Sequence, residues 1–365
     1  MAHIFKRPSK TSRGIVILTH KELKYFGGLA TSSKWSFFST TPLDKLILLS
    51  KKDYFFGVHF GWYHPKPIDL PSWVHFALAA DSIAQFTSAQ MIIPLSSSHF
   101  TPKIMVPKPV EKYWDIVCVA KATKAKNLDL FLREIRKIYD LGYNYRVLLL
   151  VASNQFEQEM PNMYATLVDD YYELFSASER EYFTLLKTDA SLGFQGLSYS
   201  VISHFLNQSR VFTLFSQREG ASKAVKEALL CGLPVVAYSG LEGGALNPLD
   251  NTNSVLFDDF EDAHLALIEA VKGSFRFNVN SNKLRGEIGE VASLELLKAY
   301  FSELFEQYGQ EFDGELINTD NLNRRLPAHF YDGSLPWAAE KEFRMKTTDI
   351  STELSLKQLI DDLAF

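Results

Sequence analysis

From Asp115 onward the chain alternates short apolar runs with amphipathic stretches of helical period, an order that few folds accept. Residues 115–120, 146–152, 183–186, 211–215 and 234–237 are apolar segments of strand length. Residues 128–141, 162–175, 200–208 and 222–230 lie between them as helices, and 262–271 follows as another. In the first helix Leu128, Phe131, Leu132, Ile135 and Ile138 trace one face. Strands buried on both sides read as unbroken apolar runs, and their alternation with helices of this length predicts a parallel sheet covered on both faces.

An earlier series precedes it. Residues 14–19, 45–50 and 55–60 are strand-like, with a glycine turn at 25–30, and 72–89 reads as mostly helical before Met91-Ile-Ile-Pro94. Residues 101–109 hold three prolines and two lysines and read as a linker. At 365 residues the chain exceeds what one core usually serves. The expected architecture is therefore α/β, with two Rossmann-like lobes. The first spans 1–108, with 318–365 as a candidate to return and complete it, and the second spans 109–317.

Charge divides along the same line. The net charge is −5, yet residues 1–110 carry 13 Lys and Arg against 5 Asp and Glu. That basic part is also aromatic, with Trp35, Phe37, Phe38, Phe55, Phe56, Trp62, Tyr63 and Trp73. Such a lobe suits an anionic partner, such as a headgroup surface, a lipid-phosphate or an anionic polymer; a solvated basic face over an aromatic core is the plainer alternative. No nucleic-acid motif accompanies the charge, so no nucleic-acid partner is expected. The longest apolar run, Val147-Leu-Leu-Leu-Val-Ala152, is far too short to span a bilayer, and the basic N-terminus has no apolar segment of signal-peptide length. The expected location is cytoplasmic, with peripheral contact at the inner face of the cell membrane as an extension of the charge argument. Cys118 and Cys231 each lie in an apolar run and read as reduced core residues.

The chemistry concentrates in Phe215-Ser-Gln-Arg-Glu-Gly-Ala-Ser-Lys-Ala-Val-Lys-Glu-Ala-Leu-Leu-Cys-Gly-Leu-Pro-Val-Val-Ala237. It reads as strand, polar turn, helix, glycine stop and strand. Ligands of open parallel sheets bind at the carboxyl ends of strands, which puts 216–222 at a ligand, and the following helix offers free N–H groups to an anion. Glu219 lies in the turn, and Glu227 lies two helical turns further along.

This block resembles the nucleotide-sugar signature of retaining GT-B glycosyltransferases of family 4. The matched residues are Ser216, Glu219-Gly220, Glu227-Ala228 and Cys231-Gly232-Leu233-Pro234. That family also ends a strand in Gly-Arg-Leu, followed by Lys-Gly-Leu-Asp. Here Lys121 stands for the arginine, and Lys126-Asn-Leu-Asp129 falls in register. Lysine keeps the charge and loses the bidentate fork. Residues 250–257 and the helix after them are similar to the family's next strand and helix, so the resemblance covers roughly 90–275.

The resemblance implies a GT-B fold, two Rossmann-like lobes with parallel sheets facing across a cleft, the N-lobe unusually short. It implies that Lys121 and Lys126 neutralise a donor diphosphate and that Glu219 contacts the donor sugar, assisted by Gly220, Ala221 and Ser222. Glu227 would bind the ribose hydroxyls, and Leu197, in the Phe194–Ser198 turn, lies where relatives hold the base. Gly27 and Gly28 resemble the family's N-lobe glycine loop, although a plain turn accounts for them equally. His59 and His64 are candidates for the N-lobe histidine that contacts the sugar; a lone histidine between apolar residues is more often a core residue.

The expected partners are a nucleotide-sugar donor and a glycan or lipid-linked acceptor. No cofactor or metal is expected, because the sequence has no zinc-spaced His/Cys cluster and no convincing Asp-x-Asp motif. The acidic run 258–262 reads as a helix cap. A P-loop and a Gly-x-Ser-x-Gly elbow are absent. The expected activity is metal-independent, retaining sugar transfer, in surface polysaccharide or glycolipid assembly. Its rivals are an epimerase on the same fold and a degenerate lobe pair used as a binding or scaffold subunit.

Overall fold

The computed structural model describes residues 2–19, 52–152 (except 62, 65, 71, 81, 82, 88 and 89), 160–188 and 197–326. They divide into two compact units, one made of 1–100 with the chain from 290 onward, the other of Thr101–Gly289.

The first unit holds β1 (Ala2–Lys6), β2 (Gly14–Thr19), β3 (Tyr54–Phe60), β4 (Phe76–Ala79) and β5 (Met91–Ile93), paired in chain order. β1 runs antiparallel to β2, and the other pairs are parallel. Phe5, Ile15, Ile17, Phe55, Phe76 and Ile93 form a core with Leu297, Phe301, Leu304 and Phe305 of the helix Glu290–Gln307. Phe55 meets Phe305 edge-on at 4.9 Å, and Phe76 meets Phe301 at 5.4 Å. This apolar stripe explains why the chain from Glu290 belongs with the first sheet. The return therefore begins well before Asn318, and the second unit ends at Gly289 where the sequence suggested 317. Further on, Asn318 donates to Ile4 O at 3.0 Å, and Lys6 is ion-paired with Asp313.

The helical expectation for 72–89 is corrected. The segment contains β4, whose four residues are all buried, and Phe86 forms a parallel bridge to Ile68. A strand buried on both faces shows no alternation, so periodicity alone cannot tell it from a buried helix. β1 was not anticipated. The expected strand 45–50 and glycine turn 25–30, with Gly27 and Gly28, lie outside the described residues.

The second unit is a six-stranded, all-parallel sheet of β6 (Trp114–Lys121), β7 (Val147–Ala152), β8 (Phe183–Thr188), β9 (Ser209–Leu214), β10 (Val235–Tyr238) and β11 (Ser254–Phe257). Their spatial order is β11-β10-β9-β6-β7-β8. The helices are α1 (Leu128–Asp140), α2 (Met160–Leu174), α3 (Tyr199–Asn207), α4 (Lys223–Leu230), α5 (Ala263–Lys272) and α6 (Ser281–Ile288). Alternate strand residues feed two separate cores. Ile116, Cys118, Leu149, Val151, Val211 and Val236 pack with α1, α2 and α5. Val117, Leu148, Leu150, Phe212, Val235 and Ala237 pack with α4 and α6. Two buried faces are what the unbroken apolar runs required.

Among the described residues no helix is long and apolar enough to cross a membrane.

Candidate functional site

In the second unit β6 lies beside β9, and strand order reverses at that point. Open α/β sheets bind ligands beyond the carboxyl ends of the strands at such a switch point. The two loops that leave it are 122–127 and 215–222, which carry six of the residues singled out by sequence.

Local chemistry ties the loops together. Asn127 precedes α1 with φ of 47°, in the left-handed region that asparagine tolerates better than most residues. It occupies the glycine position of the motif, and its Nδ2 donates to Phe215 O at 3.0 Å. Gln217 N–H donates to Ala125 O at 3.3 Å. So fixed, Lys126 forms an ion pair with Glu219, their side chains only 17% and 20% exposed. Lys121 ends β6 and is exposed.

Ser222 caps α4, its hydroxyl accepting from Val225 N–H at 3.5 Å. The other end closes in a Schellman turn. Gly232, at φ of +81°, donates to Leu229 O, and Leu233 N–H donates to Ala228 O, both at 3.0 Å. This accounts for the Cys-Gly-Leu-Pro stop read in the sequence. The cap directs α4's first N–H groups toward the loop of Glu219, Gly220 and Ala221, the positive end of the helix dipole. Glu227 lies on α4 and is buried. Ser216 is wholly buried, and its hydroxyl has no hydrogen-bond partner among the described residues.

The structure thus brings together Lys126, Ser216, Glu219, Gly220, Ala221 and Ser222, with Lys121 and Glu227 on the adjoining strand and helix. Leu197, just before α3, packs against the apolar core beneath α4. His59 belongs to the first unit, where it is buried and its Nε2 accepts from Ser97 N–H at 3.0 Å. His64 stacks edge-on against Phe60 at 5.3 Å.

Three features escaped the sequence reading. Asn127, beside Lys126 in the lysine motif, sets the backbone turn into α1. Lys226, next to Glu227, is buried, and desolvation pushes its ammonium down to about 7. The loop after β10 also touches the site: Glu219 N–H donates to Glu242 O at 2.9 Å, and Gly243 lies against the Glu219 carbonyl. The Gly243-Gly244 pair was the available signal. Burial raises the thiols of Cys118 and Cys231, to about 12 and about 11. In the acidic run, Asp259 caps the short helical turn Phe260–Asp262, and Asp258 accepts from Ser239 at 2.6 Å. Among the described residues no group of three or more His, Cys, Asp or Glu is placed to hold a metal ion.

Residues 114–272, a little under half of the chain, match the family model described as "Glycosyl transferases group 1". Solved structures extend the likeness in fold. The pneumococcal O-GlcNAc transferase GtfA, in complex with UDP and GlcNAc, is 12% identical with a TM-score of 0.51, over 73% of this chain and 55% of that one. A TarM variant from S. aureus, in complex with fondaparinux, alpha-GlcNAc-glycerol and UDP, is 15% identical with a TM-score of 0.52, over 68% and 51%. The alpha,alpha-trehalose 6-phosphate synthase of Burkholderia multivorans is 12% identical with a TM-score of 0.51, over 84% and 89%. The chain spans about half the length of the first two. No curated protein sequence matches it.

Proposed function

We propose that this protein transfers a sugar from a nucleotide diphosphate donor to a glycan or lipid-linked acceptor, with retention and without a metal. The observation that carries the reading is the Lys126–Glu219 pair, held at the switch point beside the N-terminus of α4 within the segment that matches the group 1 glycosyltransferase family model. The donor diphosphate would face Lys121, Lys126 and the first N–H groups of α4, and Glu219 would contact the sugar. Glu227 would receive the ribose hydroxyls.

In the reaction the bond between the anomeric carbon and the phosphate oxygen breaks, and the nucleoside diphosphate leaves with the electron pair. The acceptor hydroxyl attacks the same face, and its proton passes to the departing phosphate oxygen. Fixed cations and amide dipoles aimed at that oxygen act where negative charge develops, the kind of preorganised stabilisation worth several kcal/mol per donor. The basic, aromatic composition of residues 1–110 supports an acceptor presented at an anionic membrane surface, as in surface polysaccharide or glycolipid assembly, on the cytoplasmic side.

The test is donor turnover. UDP sugars come first, because GtfA and the TarM variant are complexes with UDP. Nucleoside diphosphate release is followed with and without glycan and glycolipid acceptors, in EDTA, and the product anomer is read by NMR. Acceptor-dependent release with a retained anomer supports the reading. Donor consumed without acceptor to give an altered sugar makes the protein an epimerase, and no turnover with any donor makes it a binding subunit.

A further inference from the structure

Beyond the ends of β9 and β10 two loops run side by side. Glu242 N–H donates to Gln217 O, and Glu219 N–H donates to Glu242 O, both at 2.9 Å. Arg218 and Glu242 are partners in a parallel bridge, and Arg218 Nε meets Glu242 Oε2 at 2.9 Å. The pairing of β9 with β10 therefore resumes for a short ladder that ends on Glu219.

Gly243 follows at once, with φ of +110°. A Cβ there would fall 1.9 Å from the Glu219 carbonyl oxygen, 2.9 Å from its carbonyl carbon and 3.5 Å from Gly220 N. The obstacle is backbone, so no side-chain rotation relieves it. Any residue but glycine must push the Glu219–Gly220 peptide outward as well as adopt a strained φ.

We infer that Gly243 is a positioning residue for Glu219. Its missing side chain lets the Glu219–Gly220 peptide close onto the loop after β10, and the carboxylate is then set where it meets Lys126. Glu219 is held by its N–H through Glu242, by its carbonyl against Gly243 and by its carboxylate through Lys126. The role rests on the donor-site reading above, because Glu219 acts on a donor only if one binds there. A shift of about 1 Å in such a group is enough to cost about a hundredfold in rate.

The experiment compares wild type, Gly243→Ala and Gly142→Ala for donor turnover and for calorimetric affinity toward UDP, or whichever nucleoside diphosphate the wild type selects. Gly142 has φ of +84° in the turn before β7, with nothing within 4 Å of a built Cβ. It therefore reports the backbone strain alone. Gly243→Ala is expected to lower turnover about a hundredfold while nucleotide affinity holds or rises, since a displaced Glu219 releases Lys126. Gly142→Ala is expected to change neither. Equal turnover by Gly243→Ala and wild type overturns the role of Gly243 alone, and so does a parallel loss of turnover and nucleotide affinity. A wild type that binds no nucleotide overturns the donor-site reading and this role with it. Should Gly243→Ala fail to fold, amide exchange of Glu219 in the wild type decides. Protection from exchange supports the ladder; exchange at the rate of an open loop overturns it.

Discussion

Lys126 and Glu219 form an ion pair, so under the proposed function an incoming diphosphate would have to exchange places with a carboxylate. Both side chains are about four-fifths buried. A hydrogen bond to a charged group contributes about 1.5–3 kcal/mol, and the residual exposure of this pair reduces that to about 1–2 kcal/mol. Glu219→Gln removes the competing charge and leaves Lys126 available to phosphate. UDP affinity is then expected to rise about 5- to 30-fold. Lys126→Met is expected to lower it about tenfold or more. Donor turnover should fall in both, because Glu219 is assigned to the sugar, which UDP lacks. Isothermal titration with UDP and with UDP sugars on the three proteins reads all of these at once. UDP affinity that falls or stays constant in Glu219→Gln would refute the exchange, and the assignment of Lys126 to the diphosphate with it.

Other consequences are open to measurement. Asn127→Ala loses both tolerance of positive φ and the bond to Phe215 O, and should cost about 1–2 kcal/mol in urea unfolding; Asn127→Gly, which keeps the φ, should cost less. Lys226 is depressed to about 7 from an ordinary 10.5, so between those pH values the unfolded chain binds the extra proton and stability rises with pH through this group. Lys226→Met should therefore flatten the dependence of stability on pH between 7 and 10, which is checked by melts across that range. Cys118 and Cys231, buried and with thiols raised to about 12 and about 11, should resist a thiol reagent at pH 8 in the folded protein and react fully in denaturant.

The second sheet was legible because β7, β9 and β10 are largely apolar runs and each crossover from β6 to β10 carries an α-helix. The same property hid β4: Phe76-Ala-Leu-Ala79 has no polar face, so nothing in its pattern separated strand from helix. The return at Glu290 was equally hidden. The partner of Phe301 and Phe305 is a sheet some two hundred residues upstream, and no local signal names it. At the site, Ser216, Glu219 and Ser222 were readable because a turn and a capped helix write themselves into neighbouring residues. Asn127 and Gly243 were not, since each matters through the backbone of a distant loop, Phe215 in one case and Glu219 in the other. Long-range backbone contacts leave only a residue type behind, and an asparagine or a glycine in a loop has many ordinary reasons to be there.

The central claim, a nucleotide-sugar donor held between the β6 and β9 loops and α4, is tested most directly by thermal shift. The panel is UDP, GDP, ADP, dTDP and CMP with their sugar conjugates, on wild type and Glu227→Ala. A ligand at 100 times its dissociation constant stabilises by about 2.7 kcal/mol, a shift that is easily read. The account predicts that one nucleotide stands out and that Glu227→Ala abolishes its effect. A panel with no shift, or a shift that survives Glu227→Ala unchanged, would contradict it.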